Sequence, residues 1–256
     1  MRRAAAVLAL GGPLLLGPVG PAPAQEREAA FLAGTTNDCP GCNLAGAALQ
    51  RRNLTGADLS GANLEGATFH RAVLRGANLS GANLTAANLN KTDLVQANLS
   101  GAMMDRVLMF EADASGINLS GSVIRGAFMG SIRLIRANLD GADITGADME
   151  NANLNDASLV GATMVETDLF QASMFRVDLT GANAEGAFLG EVRMAGSTLV
   201  DASLVGAYAF QIDLSRSNLT NADFTGAVLT SANLRETIQD GTIFTNARMP
   251  DNQLAP

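Results

Sequence analysis

Hydrophobic and polar positions follow one another along this chain with a period of five. Stepping by five from Leu44 to Met249 gives 42 reference positions without insertion or deletion, holding 25 Leu, 8 Met, 3 Phe, 2 Ile and 3 Ala, with Gln239 the one polar residue. Two residues before the reference, Ala occurs in 27 of the 42 quintets; the residue between is often Asn or Asp, and Gly commonly stands two after, as in Gly56-Ala57-Asp58-Leu59-Ser60-Gly61-Ala62-Asn63-Leu64. An Ala-Asn-Leu triplet reads as a three-residue strand with both apolar ends on one side. The Ser-Gly or Thr-Gly pair after it is turn chemistry. Neither a helix nor a hairpin meander would hold this phase over so long a run. The pattern therefore predicts a chain that winds continuously with Ala and Leu inward. A single quintet cannot bury its own apolar side, so stability must come from coil stacked on coil.

With these residues in place, residues 42–251 resemble the pentapeptide-repeat proteins, whose motif is A-(D/N)-L-x-x. That resemblance implies an all-β solenoid, a right-handed quadrilateral β-helix of about ten coils with four pentapeptides each. At the roughly 4.8 Å spacing of paired strands, such a rod is about 50 Å long.

The ends follow a different logic. Residues 1–24 open with Arg2 and Arg3, continue through an apolar stretch broken by Gly and Pro, and finish Ala22-Pro23-Ala24. This is the layout of a secretory signal peptide, with cleavage expected after Ala24 and a periplasmic or secreted product. No transmembrane segment is expected in the mature chain. Residues 25–41 read as an N-terminal capping segment, with Gln25–Leu32 (QEREAAFL) predicted as a short helix. Residues 252–256 read as a C-terminal tail. Capping matters because a solenoid exposes unpaired strand edges at both ends.

Composition narrows the function. Of 256 residues only 4% are aromatic, with no Trp, one His and two Cys, and the apolar content is mostly Ala and Leu. That leaves little vocabulary for metal sites, acid–base pairs or activated nucleophiles, so neither cofactor, metal nor catalytic residue is expected and the chain reads as non-enzymatic. Without the leader, 15 Lys and Arg stand against 25 Asp and Glu, a net charge of −10. Direct nucleic-acid binding, which needs a basic footprint, is disfavoured.

If twenty residues make a coil, each quintet falls on one of four faces, the first being that of Leu44, and residues twenty apart form columns. Seven aromatics point outward, and all but Phe175 fall on the second face. Leu108, Phe128, Phe188 and Tyr208 share one column; Phe110, Phe170 and Phe210 share a neighbouring one. Such a stack either braces neighbouring strands or forms a contact surface for a partner or a second copy. The third face is basic, with Arg52, Arg75, Arg133, Arg136, Arg176, Arg193, Arg216 and Arg235 against five acids; the fourth holds Asp58, Asp140, Asp178, Asp201 and Asp240 and no base. Arg51, Arg71 and Lys91 line the corner between the second and third faces. Faces of one sign also keep a long rod soluble.

Few residues are candidates for chemistry. Cys39-Pro40-Gly41-Cys42 flanks a corner with both cysteines in phase to point inward, and a β-turn brings its first and fourth Cα within 7 Å. In an exported protein this reads as a disulfide staple of the first coil. The other readings are free thiols, or a redox pair or half a metal site, although no second Cys or His pair completes four ligands. His70 lies outward beside Arg71 with no nucleophile near in sequence. Arg52, the one charge at the usual Ala position, is expected to reach for water or to mark a local distortion.

The surface pattern points to an exported scaffold that presents its aromatic and basic faces to a protein or envelope partner. The alternative comes from the family resemblance alone: some acidic members mimic duplex DNA and bind DNA gyrase. The leader, the basic third face and the lack of a C-terminal dimerisation helix stand against it here.

Overall fold

The computed structural model describes residues 24–256, so the expected leader, apart from Ala24, lies outside the described residues. Parallel bridges join residues twenty apart from Asn43↔Asn63 to Val228↔Arg248. This register means four quintets per coil: residues 42–46, 47–51, 52–56 and 57–61 start the first to fourth faces, and every face recurs at intervals of twenty.

Each corner is a β-turn. In most corners the reference carbonyl accepts the N–H three residues on, as Leu59 O does from Ala62 N–H at 3.1 Å. The residue two after the reference has positive φ, which a type II turn requires at its third position. Gly61, at φ 62°, takes it without strain; Arg51, Lys91 and Ala86 adopt φ of 57°, 57° and 55° at the equivalent place. A side chain there points away from the rod, so the left-handed conformation costs about 1–2 kcal/mol without any packing clash.

Between coils the backbone pairs at both the strand and the corner. Leu44 N–H donates to Asn63 O at 2.7 Å, Asn63 N–H to Cys42 O at 2.8 Å, and Gly46 N–H to Glu65 O at 2.8 Å. Inside, the Ala and Leu columns are buried along nearly the whole rod. Polar residues at inward positions are satisfied: Thr92 donates its hydroxyl to Phe69 O at 3.0 Å. Ser197 donates to Met174 O at 3.1 Å and accepts from Val177 N–H at 3.2 Å, inserting its hydroxyl into that corner.

Outward Asn and Asp side chains explain the middle of the motif. Asn98 Nδ2 donates to Asn78 Oδ1 at 3.3 Å, and Asn118 Nδ2 to Asn98 Oδ1 at 3.1 Å, forming an amide ladder on the fourth face. The same Asn78 Oδ1 accepts Ser80 N–H at 3.3 Å and so secures the next corner. A short side chain with a carbonyl oxygen reaches both donors, which is why Asn and Asp recur here.

The N-terminal end is covered by helix α1 (Ala24–Leu32). Phe31 is fully buried against the first coil, Glu28 Oε1 accepts Asn43 N–H at 2.8 Å, and Asp38 Oδ1 accepts Asp58 N–H at 2.9 Å. Of the two expectations for Arg52, a reach for water or a local departure from the repeat, the second fits: the side chain is half-buried under the cap. Its guanidinium turns inward to lie 4.5 Å from the Phe31 ring centroid and donates to Phe31 O at 2.8 Å. At the other end the tail folds back antiparallel, Leu254 opposite Arg248, with Ala255 N–H donating to Ala247 O at 2.8 Å. It follows one face, and Ile238, Ile243 and Leu254 stay exposed.

Candidate interaction face

The register turns the aromatic columns into real neighbours. Leu108 pairs with Phe128, and Phe188 with Tyr208, in successive coils. The Phe188 and Tyr208 rings stack, with centroids 5.2 Å apart and planes within 7°. Stacking braces the coils, yet Phe128, Phe188 and Tyr208 remain 54%, 45% and 50% exposed. Bracing therefore leaves a large apolar surface in water.

The neighbouring column is built differently. Phe170 and Phe210 belong to coils two apart, a backbone distance of about 10 Å, but their ring centroids are 6.2 Å apart. Gly190 lies between them and makes this approach possible: a Cβ there would fall 2.4 Å from Phe210 Cε1 and 3.1 Å from Phe170 Cδ2. The two rings lean together and bury the glycine. Gly130 lies beside Phe110 in a looser version of the arrangement, where a Cβ would stand 3.4 Å from Phe110 Cδ2, close to ordinary contact. Sequence reasoning overlooked both glycines. The signal was present: in the repeat they are the only glycines one residue after a reference position, and both have Phe twenty residues away. Phe175 stands apart on the third face, half-buried.

Two apolar patches result, Leu108, Phe110 and Phe128 nearer the N-terminal end, and Phe170, Phe188, Tyr208 and Phe210 nearer the C-terminal end. Between them the bridge column runs Phe128, Asp148, Asp168, Phe188, with Glu150 alongside. Asp148 Oδ1 accepts Glu150 N–H at 3.2 Å and Asp168 Oδ1 accepts Phe170 N–H at 3.0 Å. None of these three carboxylates is ion-paired among the described residues. The acidic band inside the aromatic face is a second feature that sorting charge by whole faces had hidden.

The basic third face is partly neutralised by its own acids. Arg75 pairs with Asp93, Arg133 lies 3.7 Å from Asp113, and Arg176 grips Asp156 through two bonds of 2.7 and 2.9 Å. Exposed pairs of this kind add little stability. Arg136, Arg193, Arg216 and Arg235 form no ion pair among the described residues. Of the cationic corner Arg51, Arg71 and Lys91, Lys91 is held by Glu111 at 3.1 Å. His70 lies half-buried on the second face.

Cys39 and Cys42 bring their sulfurs to 2.00 Å, disulfide distance, across the first corner with Cα atoms 5.4 Å apart, and both are buried. Among the described residues no group of three or more His, Cys, Asp or Glu is placed to hold a metal ion, and no helix is long and apolar enough to cross a membrane. The core void beside Ala184 measures about 10 Å³, below the volume of a ligand.

A family model described as pentapeptide repeats matches in eight copies over residues 42–81, 77–109, 132–171, 172–208 and 211–246. No curated protein sequence matches the chain. Among solved structures, it is similar to HetL, a pentapeptide repeat protein involved in heterocyst differentiation regulation from the cyanobacterium Nostoc sp. strain PCC 7120. The identity is 29% over 89% of this chain and 98% of that one, with a TM-score of 0.39. QnrB1, a plasmid-mediated fluoroquinolone resistance protein, is 18% identical over 80% of this chain and 92% of its own, with a TM-score of 0.37. A pentapeptide repeat protein of the Arabidopsis thaliana thylakoid lumen is 25% identical over 45% of this chain and 74% of its own, with a TM-score of 0.22.

Proposed function

Because the chain belongs to the pentapeptide-repeat family, we propose that it is an exported, non-enzymatic scaffold whose second face engages a protein or envelope partner. The family's geometry implies a right-handed path of about ten coils, a stiff rod on which outward side chains hold fixed spacings. The observation that carries the reading is the exposure of Phe128, Phe188 and Tyr208 on one face. In water such exposed apolar patches invite association, and their burial against a partner supplies roughly 25 cal/mol per Å².

Export is supported by the charged, apolar and small-residue layout of residues 1–24 and by a cysteine pair at disulfide distance, a bond that persists in oxidising compartments. The test combines both halves. Cells expressing the tagged chain are fractionated, free thiols are labelled without reductant, and partners are captured by crosslinking. The reading requires a periplasmic or extracellular fraction, no labelled thiol, and crosslinks that disappear when Phe128, Phe188 and Tyr208 are each replaced by Ser. Partners unchanged in a folded triple variant would refute the face.

The fourth face, acidic and without a base, supports a second reading as a DNA mimic directed at gyrase. Inhibition of supercoiling by the purified protein, together with a cytoplasmic location, would favour it.

A further inference from the structure

We infer that the second face receives a cationic amphipathic helix of a partner protein, with apolar turns on the two aromatic patches and Lys or Arg side chains over the carboxylates between them. The inference rests on the reading that this face is the interaction surface and adds the partner's chemistry and form.

Charge opposes a second copy laid along the whole face. Overlaying the patches of two rods, either parallel in register or antiparallel about the middle of the face, brings Asp148, Glu150 and Asp168 onto the same three residues of the other rod. Like charges facing one another in a closing apolar contact are repulsive and costly to desolvate. A cationic occupant meets the same three carboxylates, which accept hydrogen bonds from neighbouring amides but have no ion-pair partner among the described residues, with complementary charge.

Backbone hydrogen bonding decides the form. The coils of this face are paired above and below: Phe128 N–H donates to Val107 O at 2.9 Å, Met129 N–H to Asp148 O at 2.7 Å, and Met149 N–H to Asp168 O at 2.7 Å. The face offers no free strand edge, so an extended segment lying on it would lose water from its own N–H and C=O groups without replacement. A helix satisfies those groups internally and offers only side chains. Phe128 and Phe188 are three coils apart, about 14 Å at the spacing of paired strands. At 1.5 Å per residue a helix covers that distance in about nine or ten residues. The partner helix therefore carries two apolar turns about that far apart, with basic residues on the same side between them.

Two fluorescein-labelled helical peptides of about eighteen residues test this, with identical Leu-rich turns and either three Lys or three Glu between them. Binding to the purified protein is read by fluorescence anisotropy at low and physiological salt. The Lys peptide is expected to bind at least tenfold more tightly than the Glu peptide and to weaken as salt rises. In the Asp148→Asn, Glu150→Gln, Asp168→Asn variant that preference should vanish; Asn keeps the oxygen that accepts the Glu150 and Phe170 N–H groups, and an unchanged melting profile verifies the fold. Phe128→Ser with Phe188→Ser should weaken both peptides.

Equal binding of the two peptides, a Lys preference that survives in the amide variant, or a dimer by light scattering that the Phe variant dissolves would each overturn the inference. Cellular crosslinks separate it from the broader reading. Partners lost in the Phe variant but kept in the amide variant leave the interaction face standing without this partner chemistry, whereas partners kept in both overturn the two together.

Discussion

Arg52 closes the N-terminal end of the core by laying its guanidinium over Phe31, 4.5 Å from the ring centroid, while donating to the Phe31 carbonyl at 2.8 Å. Elsewhere its position in the repeat belongs to a small inward residue. At the first coil there is no preceding coil, and the long side chain fills that space beneath α1. Burial pushes its guanidinium pKa below the ordinary value, but arginine stays charged at any pH where the protein is folded.

Replacing Arg52 with Ala restores the repeat consensus and should nonetheless destabilise the cap. The change removes a cation–π contact of about 1 kcal/mol and a charge-assisted hydrogen bond of about 1.5 kcal/mol. Hydrogen exchange in α1 should accelerate by more than tenfold, while amides of the distant coils stay protected because a solenoid couples neighbour to neighbour. Unchanged exchange in α1 would show that the helix is held by Phe31 and the Glu28–Asn43 hydrogen bond without help from Arg52.

Gly190→Ala should cost about 1–3 kcal/mol by overpacking, because its Cβ would fall 2.4 Å from Phe210 Cε1 and force the ring away from Phe170. Gly181→Asn makes the contrast. That corner has positive φ and open space around the glycine, a conformation Asn tolerates well, so the loss should stay below about 1 kcal/mol. Thermal melts of the two variants, with aromatic NMR shifts of Phe170 and Phe210, measure the difference.

Asp58 begins the fourth-face ladder, and hydrogen bonds from the Ser60 side chain and backbone, with a further one from Asn78, outweigh desolvation to hold its carboxyl below the ordinary range. A depressed folded-state pKa contributes stability that is present above the unfolded value, about 3.9, and disappears as pH falls through the folded value. Asp58→Asn keeps an acceptor oxygen for the Ser60 and Asn78 donors and removes the titration. Melting temperatures followed from neutral pH downward should therefore show the wild type losing its advantage below about pH 4. A difference that stays constant with pH would show that Asp58 titrates alike in both states.

The inward Leu column and the turns were legible because each is encoded locally. Leu59, Gly61 and Ala62 announce strand, corner and next strand within four residues. The Cys39–Cys42 proximity was legible for the same reason, since one corner separates them. The partner of Arg52 was not legible because its neighbour Phe31 lies outside the repeat, and five-residue phase says nothing about what a cap inserts. Gly190 was missed because glycine was read as a corner residue, whereas here it makes room for rings from the coils on either side.

The sequence alone determined the period and the inward and outward sides. These follow from strand alternation and turn chemistry, which act over a few residues. Tertiary structure decided how residues twenty apart meet: the closing of Phe170 and Phe210 over Gly190, the carboxylate band of Asp148 and Asp168 between two aromatic patches, and the turning of Arg52 onto Phe31. The reason is physical. A repeat specifies the path of the backbone, but ring packing, charge pairing and end closure depend on which side chains the stacked coils bring within a few ångströms of one another.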